Sequence, residues 1–276
     1  MSQARELFKA GQLGAAIEEL TREVKANPAD TQRRTFLFEL LCFAGEWDRA
    51  DKQLDVIGHQ SMQAEIGVQT YRNNTKAERD RERLFTNGLQ PHFLREPPAY
   101  VDWHIDAINL MREGNLREAK ELLDRAEEER PAFPGRYNGD QAFADFRDGN
   151  DLTGPVIELI VQDQYAWLPC EQITRIEFVP PKSLRDLIWS SVRIEARDGT
   201  IGEVYLPNLY PQTSEHADDQ VKLGRMTDWK QVGENIQQPF GLRLFSVDGE
   251  DRSRLEMQSI EFDAVTAEAQ PEETVH

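Results

Sequence analysis

Apolar positions carry a helical pattern through residues 1–130, set among Ala, Leu, Glu and Arg with few prolines. Beyond residue 131 the texture changes to β-branched runs, turn dipeptides and scattered aromatics. Pro131-Ala132-Phe133-Pro134-Gly135 marks the change, because two prolines and a glycine end any helix. The pattern therefore predicts an α+β protein of two domains. Residues 1–131 form a tetratricopeptide-like helical solenoid. Residues 132–263 form a mainly-β domain with short helices, folded as a small barrel or curled sheet. Residues 264–276 lack apolar mass and are expected to be a disordered tail.

The helical half repeats itself. Gly11-Gln12-Leu13-Gly14-Ala15-Ala16, Gly45-Glu46-Trp47-Asp48-Arg49-Ala50 and Gly114-Asn115-Leu116-Arg117-Glu118-Ala119 all read Gly-polar-apolar-x-x-Ala. The first two glycines lie 34 apart, the tetratricopeptide period, and the third lies 69 further on, about two periods. Glycine lets one helix stop with a positive φ, and a small alanine lets the next approach closely. Pro28 and Pro131 each follow a turn glycine by 17 residues. Between the second and third repeats no turn glycine falls where it should, so Met62–Tyr71 and Lys76–Phe85 are read as a degenerate helix pair. Stacked pairs leave a concave groove. In this register Arg5, Phe8, Lys9, Thr35, Glu39, Phe43, His104, Ile108 and Arg112 face it. Such a mixture suits an amphipathic helix with acidic flanks.

The second half predicts strands. Val156–Val161 and Tyr165–Leu168 flank a polar turn. Val192–Arg197 and Ile201–Leu206 flank Asp198-Gly199, and Leu242–Val247 and Leu255–Phe262 flank Asp248-Gly249. Ser183–Ile188 and Ala217–Leu223 read as single helical turns.

Charge narrows the function. The chain has 32 basic and 50 acidic residues, a formal −18 that repels phosphate backbones and disfavours nucleic acid. Residues 131–276 hold 13 basic against 26 acidic residues, so most of the excess lies in the β half. No run approaches the roughly 20 apolar residues of a membrane span, and the first residues lead into no apolar signal core. A cytoplasmic protein is expected. Cys42 and Cys170 make neither a disulfide framework nor a zinc knuckle. His59, His92, His104, His216 and His276 show no metal-ligand spacing, and no phosphate-binding loop or nucleophile elbow occurs. No metal or cofactor is expected. Arg, Asp and Trp do cluster in Ser183–Trp189 and Gly224–Trp229. A hydrolase-like reading would bring Asp186, Asp228 and Arg225 together in a cleft. A structural reading has Arg–Asp pairs pinning loops around buried tryptophans.

An ordered set of segments also resembles the ImpE family, known too as TagJ or SciE. The set is Gly135–Phe146, Gly154–Glu158, Tyr165–Pro169, Leu184–Trp189, Leu209-Tyr210-Pro211 and Arg225–Trp229, with Tyr71 and Ala77-Glu78-Arg79 in the helical half. The tryptophan that the family usually carries near Phe143–Phe146 is missing. This resemblance implies a non-enzymatic accessory component of bacterial type VI secretion. It also implies a tie, through the helical segment, to the small sheath subunit TssB, and an indirect link to the ClpV unfoldase.

Overall fold

The computed structural model describes residues 2–59, 62–233 and 235–264. Helices α1 (Gln3–Lys9), α2 (Leu13–Ala26), α3 (Thr31–Phe43), α4 (Trp47–Gly58), α5 (Met62–Asn87), α6 (Ala99–Glu113) and α7 (Leu116–Glu129) fill the first part of the chain. Gly11, Gly45 and Gly114 sit at φ of 75°, 68° and 85° after α1, α3 and α6, a conformation that glycine adopts without a Cβ penalty. The alanines that follow, Ala16, Ala50 and Ala119, are fully buried where consecutive helices meet. Asp30 caps α3 through the Arg33 amide.

The degenerate pair expected at 62–85 is instead one helix, α5. Arg72-Asn73-Asn74-Thr75 contains neither glycine nor proline, and the Thr75 hydroxyl donates to Asp51 of α4 at 2.7 Å while lying 3.0 Å from Arg72 O within the helix. The missing turn glycine reported continuity rather than decay. A second departure is β1 (His92–Phe93), which leaves the helical part to pair in parallel with a strand of the other half.

That other half comprises β2 (Gly135–Tyr137), β3 (Gln141–Phe143), β4 (Phe146–Asp148), β5 (Val156–Val161), β6 (Gln164–Pro169), β7 (Ile173–Phe178), β8 (Trp189–Ala196), β9 (Ile201–Pro207), α8 (Asp219–Lys222), β10 (Thr227–Val232), β11 (Ile236–Gly241), β12 (Leu244–Val247), β13 (Glu250–Ser253) and β14 (Ser259–Phe262). One sheet runs β1-β6-β5-β9-β8-β7-β14-β2-β3, a second β13-β12-β4, and β10-β11 form a ribbon. No closed barrel forms among the described residues. Closure needs end strands that can pair along their length, and here β1 has two residues and β3 three. The hairpins at 162–164 and at Asp198-Gly199 form as the turn signals imply. Asp248-Gly249 joins β12 to β13, whereas Leu255–Phe262 holds a short 3-10 turn and then β14 in the large sheet. From residue 265 the expected tail lies outside the described residues.

Buried apolar side chains form one continuous cluster through both halves. Residues 213–225 tie them together from the surface. Asp219 Oδ2 accepts from the amides of Leu13 (2.7 Å) and Gly14 (3.3 Å), capping α2 from 206 positions away. Arg225 donates to Phe8 O and Lys9 O at the end of α1, where a cation is favoured. Ser214 lies on Gly45.

Glycine is required at that contact. A Cβ on Gly45 would lie 2.5 Å from Ser214 Oγ at a φ that L-residues rarely adopt. Gly14 faces open space in α2. Gly45→Ala is expected to cost about 1–3 kcal/mol and Gly14→Ala to add about 0.5–1 kcal/mol. Urea unfolding of the two variants checks the opposite signs.

Candidate functional site

The contact between α5 and the large sheet is built on charge. Strand β5 is buried on both faces, yet its third residue is Glu158, wholly inaccessible. Its Oε1 accepts from Arg81 Nε of α5 at 2.8 Å, and its Oε2 from Arg81 Nη2 at 3.0 Å. Arg243, in the segment before β12, donates to the same carboxylate and to Asp148 of β4. Tyr165 OH completes the shell at 2.5 Å and itself receives the Trp167 indole N–H. Burial alone would push the Glu158 carboxyl up; the two guanidiniums outweigh it and hold the group well below the usual range. One turn earlier on α5, Glu78 accepts from Trp189 Nε1 at 2.8 Å and from Arg81. Arg254 is buried nearby against Asn208, Ser190 and the Phe178 ring. Burial and the neighbouring Arg243 bring its pKa down to about 10.

The segments suspected of chemistry do other things. Asp186 accepts from the amides of Lys182 and Ser183. Asp228 pairs with His216 at 3.0 Å, and Arg225 serves α1. Their partners are separate, and Arg185 turns from Asp186 toward Glu39 (3.2 Å) and Tyr71 (2.7 Å) in the helical half. Trp189 is buried, whereas Trp229 stays partly exposed beside Tyr210. No group of three or more His, Cys, Asp or Glu among the described residues is arranged to hold a metal. No described helix is long and apolar enough to cross a membrane.

The nine residues assigned to a groove divide in two. Glu39, Phe43, His104 and Ile108 are buried inside the chain. Arg5, Lys9 and Arg112 are exposed, and Phe8 and Thr35 are half-buried. Arg5 stacks over Phe36 at 5.6 Å, and Phe8 meets the same ring edge-on at 5.7 Å. Beside them Ser2, Arg5, Leu20, Asp30, Arg33 and Phe36 line a depression of about 250 Å³. Arg112 lies apart from these, over Gly88 after α5.

Comparison with known proteins places this architecture. Residues 140–261 match the ImpE protein family. The type VI secretion system accessory component TagJ of Pseudomonas aeruginosa is 35% identical over 264 residues, covering 96% of this chain and 92% of its own length. The chain belongs to the ImpE/TagJ family. Its fold is also that of the crystal structure of protein VPA1032 from Vibrio parahaemolyticus, with a TM-score of 0.87, 26% identity, and coverage of 95% of this chain and 98% of the other.

In this ImpE-family chain the buried charges were the part that sequence reading missed. Glu158 stands alone in an apolar run, and that oddity was the available signal. Its partners are 77 and 85 positions away, so nothing local announces them. Glu158→Gln leaves two buried guanidiniums without their shared anion, and a loss of about 3–5 kcal/mol is expected in urea unfolding.

His104 gives a pH prediction. It faces the 151–152 turn from α6, with Arg147 and Glu127 nearby, and neither ring nitrogen has a hydrogen-bond partner of ordinary geometry. Burial, then Arg147, lowers its pKa to about 4 from 6.5. The unfolded chain therefore binds this proton first, so its stabilising neutrality is full above pH 6.5 and is lost as pH falls toward 4. Between pH 7 and pH 5 it should account for about 2 kcal/mol of lost stability. His104→Leu should flatten that limb of the unfolding profile.

Proposed function

We propose that this chain is a non-enzymatic accessory component of type VI secretion, cytoplasmic, working as a scaffold that binds a helix of the contractile sheath small subunit. The observation that carries the reading is the similarity to TagJ along nearly the full length of both chains. In this reading the helix pairs act as a tetratricopeptide-like repeat array. The three side chains that a hydrolase would need to converge are each engaged by separate neighbours, which favours a scaffold.

The surface we assign to the partner is the outer face of α1 and α3. There Phe8 and Phe36 offer apolar contact, and Arg5 and Lys9 offer positive charge within an otherwise acidic protein, while Arg33 beside them is paired with Asp30 and Glu23. Trp189, Arg185 and the 213–225 segment pack against these helices from the sheet side, and Arg225 also covers one side of the Phe8 ring at 5.1 Å, leaving its contact with Phe36 on the outer side. Glu39 and Phe43 then support the surface from behind. A helix with an apolar stripe and acidic flanks fits this face. Its release by the ClpV-type unfoldase would be indirect, through the sheath subunit. A rival site is the acidic β half, which would select a basic helix.

Titration calorimetry with the purified sheath small subunit tests the assignment. The double variant Arg5→Glu with Lys9→Glu should bind at least tenfold more weakly and lose most of its salt dependence. Arg112→Glu, remote from the Phe36 depression, should bind as the parent does. Undiminished binding by the double variant would move the site to the β half.

A further inference from the structure

A second surface, at the turn between α3 and α4, has a different chemistry. Gly45, Glu46, Trp47, Asp48, Arg79 and Glu82 line an open depression of about 430 Å³. It shares Trp47 and Glu82 with a narrow slot of about 40 Å³ that runs inward between α5 and residues 211–214. The rim charges are largely matched. Arg79 serves Asp48 and Asp51, and Arg49 serves Glu46. Glu82 differs, having no ion-pair partner among the described residues. The Trp47 indole N–H holds its Oε1 at 2.7 Å. Glu78 below and Glu215 beside it add negative potential to the slot, and Arg81, which also lines it, opposes them while its own guanidinium is taken up by Glu158 and Glu78.

We propose that this depression receives a lysine side chain of a protein partner, its ammonium seated in the slot against Glu82 and its methylenes lying on Trp47. The fit is one of charge and size. A water-sized group needs roughly 10–15 Å³, so the slot admits a compact ammonium. The aromatic wall takes the aliphatic stem, as long cationic side chains prefer. Burial raises the Glu82 pKa, with the Trp47 N–H opposing and Glu78 adding to the rise; an incoming cation reverses that penalty. The net charge of −18 draws cations toward the surface. This site lies apart from the α1–α3 face and asks for the opposite charge, so it stands or falls independently of that assignment.

The probe is Nα-acetyl-lysine methylamide, titrated into the 15N-labelled full chain while the Trp47 indole N–H resonance is followed. A saturable shift is expected, with none from the norleucine analogue, which has the same stem and no charge. Glu82→Gln keeps an acceptor for the indole and should retain the fold, shown by an unchanged thermal midpoint, while weakening the probe at least tenfold. Glu128→Gln, on the exposed end of α7, should bind as the parent does. An equal response to norleucine, or a response that survives Glu82→Gln, overturns the proposal. A blocked arginine that shifts the resonance as strongly as lysine overturns the choice of ammonium.

Discussion

A carboxylate in the middle of an apolar strand sets the terms for the whole molecule. Glu158 is stable there only because Arg81 and Arg243 reach it from two other parts of the chain. Each charge would be prohibitive alone in that interior. With Asp148 and Glu78 they make a network of two guanidiniums and three carboxylates, joined by the hydroxyl of Tyr165 and with Arg254 buried nearby. Such a network adds less stability than a well-packed apolar replacement often would. Its value lies in selectivity. Slipping α5 by one turn against the sheet would strand a guanidinium among leucines and valines, so one docking register stands far below its neighbours.

Around that anchor the aromatic side chains complete the join. Trp189 of β8 packs within 6.3 to 6.4 Å of Tyr71, Phe38 and Trp47 from three different helices. Its indole N–H reaches the same helix that carries Arg81. Helix pairs that could otherwise flex as an array are thus held on a rigid sheet. One of their faces is used up internally, which leaves the outer face and the interhelical turns uncovered by the sheet.

Legibility followed the range of each interaction. The turn glycines, the close-packed alanines and the Asp-Gly hairpins are local, and each could be read from a few adjacent residues. The continuity of α5 was legible too, in the absence of any breaker between Arg72 and Thr75, but the repeat period argued against it. The β10–β11 ribbon escaped because its turn depends on Gly233 and Asn235 at positive φ within a polar stretch. Openness of the large sheet depends on end strands two and three residues long, a property of the assembled sheet. The charge network was least legible, since its members are dispersed from Glu78 to Arg254 and meet only after folding. The same holds for the assigned groove residues: helical spacing indicates which positions share a face, but not which face the sheet will cover.

The cap that Asp219 places on α2 has a temporal side. At translation rates of roughly 5–20 residues per second, the 206 positions between Leu13 and Asp219 correspond to roughly 10 to 40 s. Until Asp219 is made the amide end of α2 lacks this cap, whereas Arg81 and Glu78 wait only for Glu158 and Trp189, 77 and 111 positions further on. The amino-terminal helices are therefore incompletely fastened until that segment is made. The last third of the chain, synthesised latest, is what closes the earliest-made part.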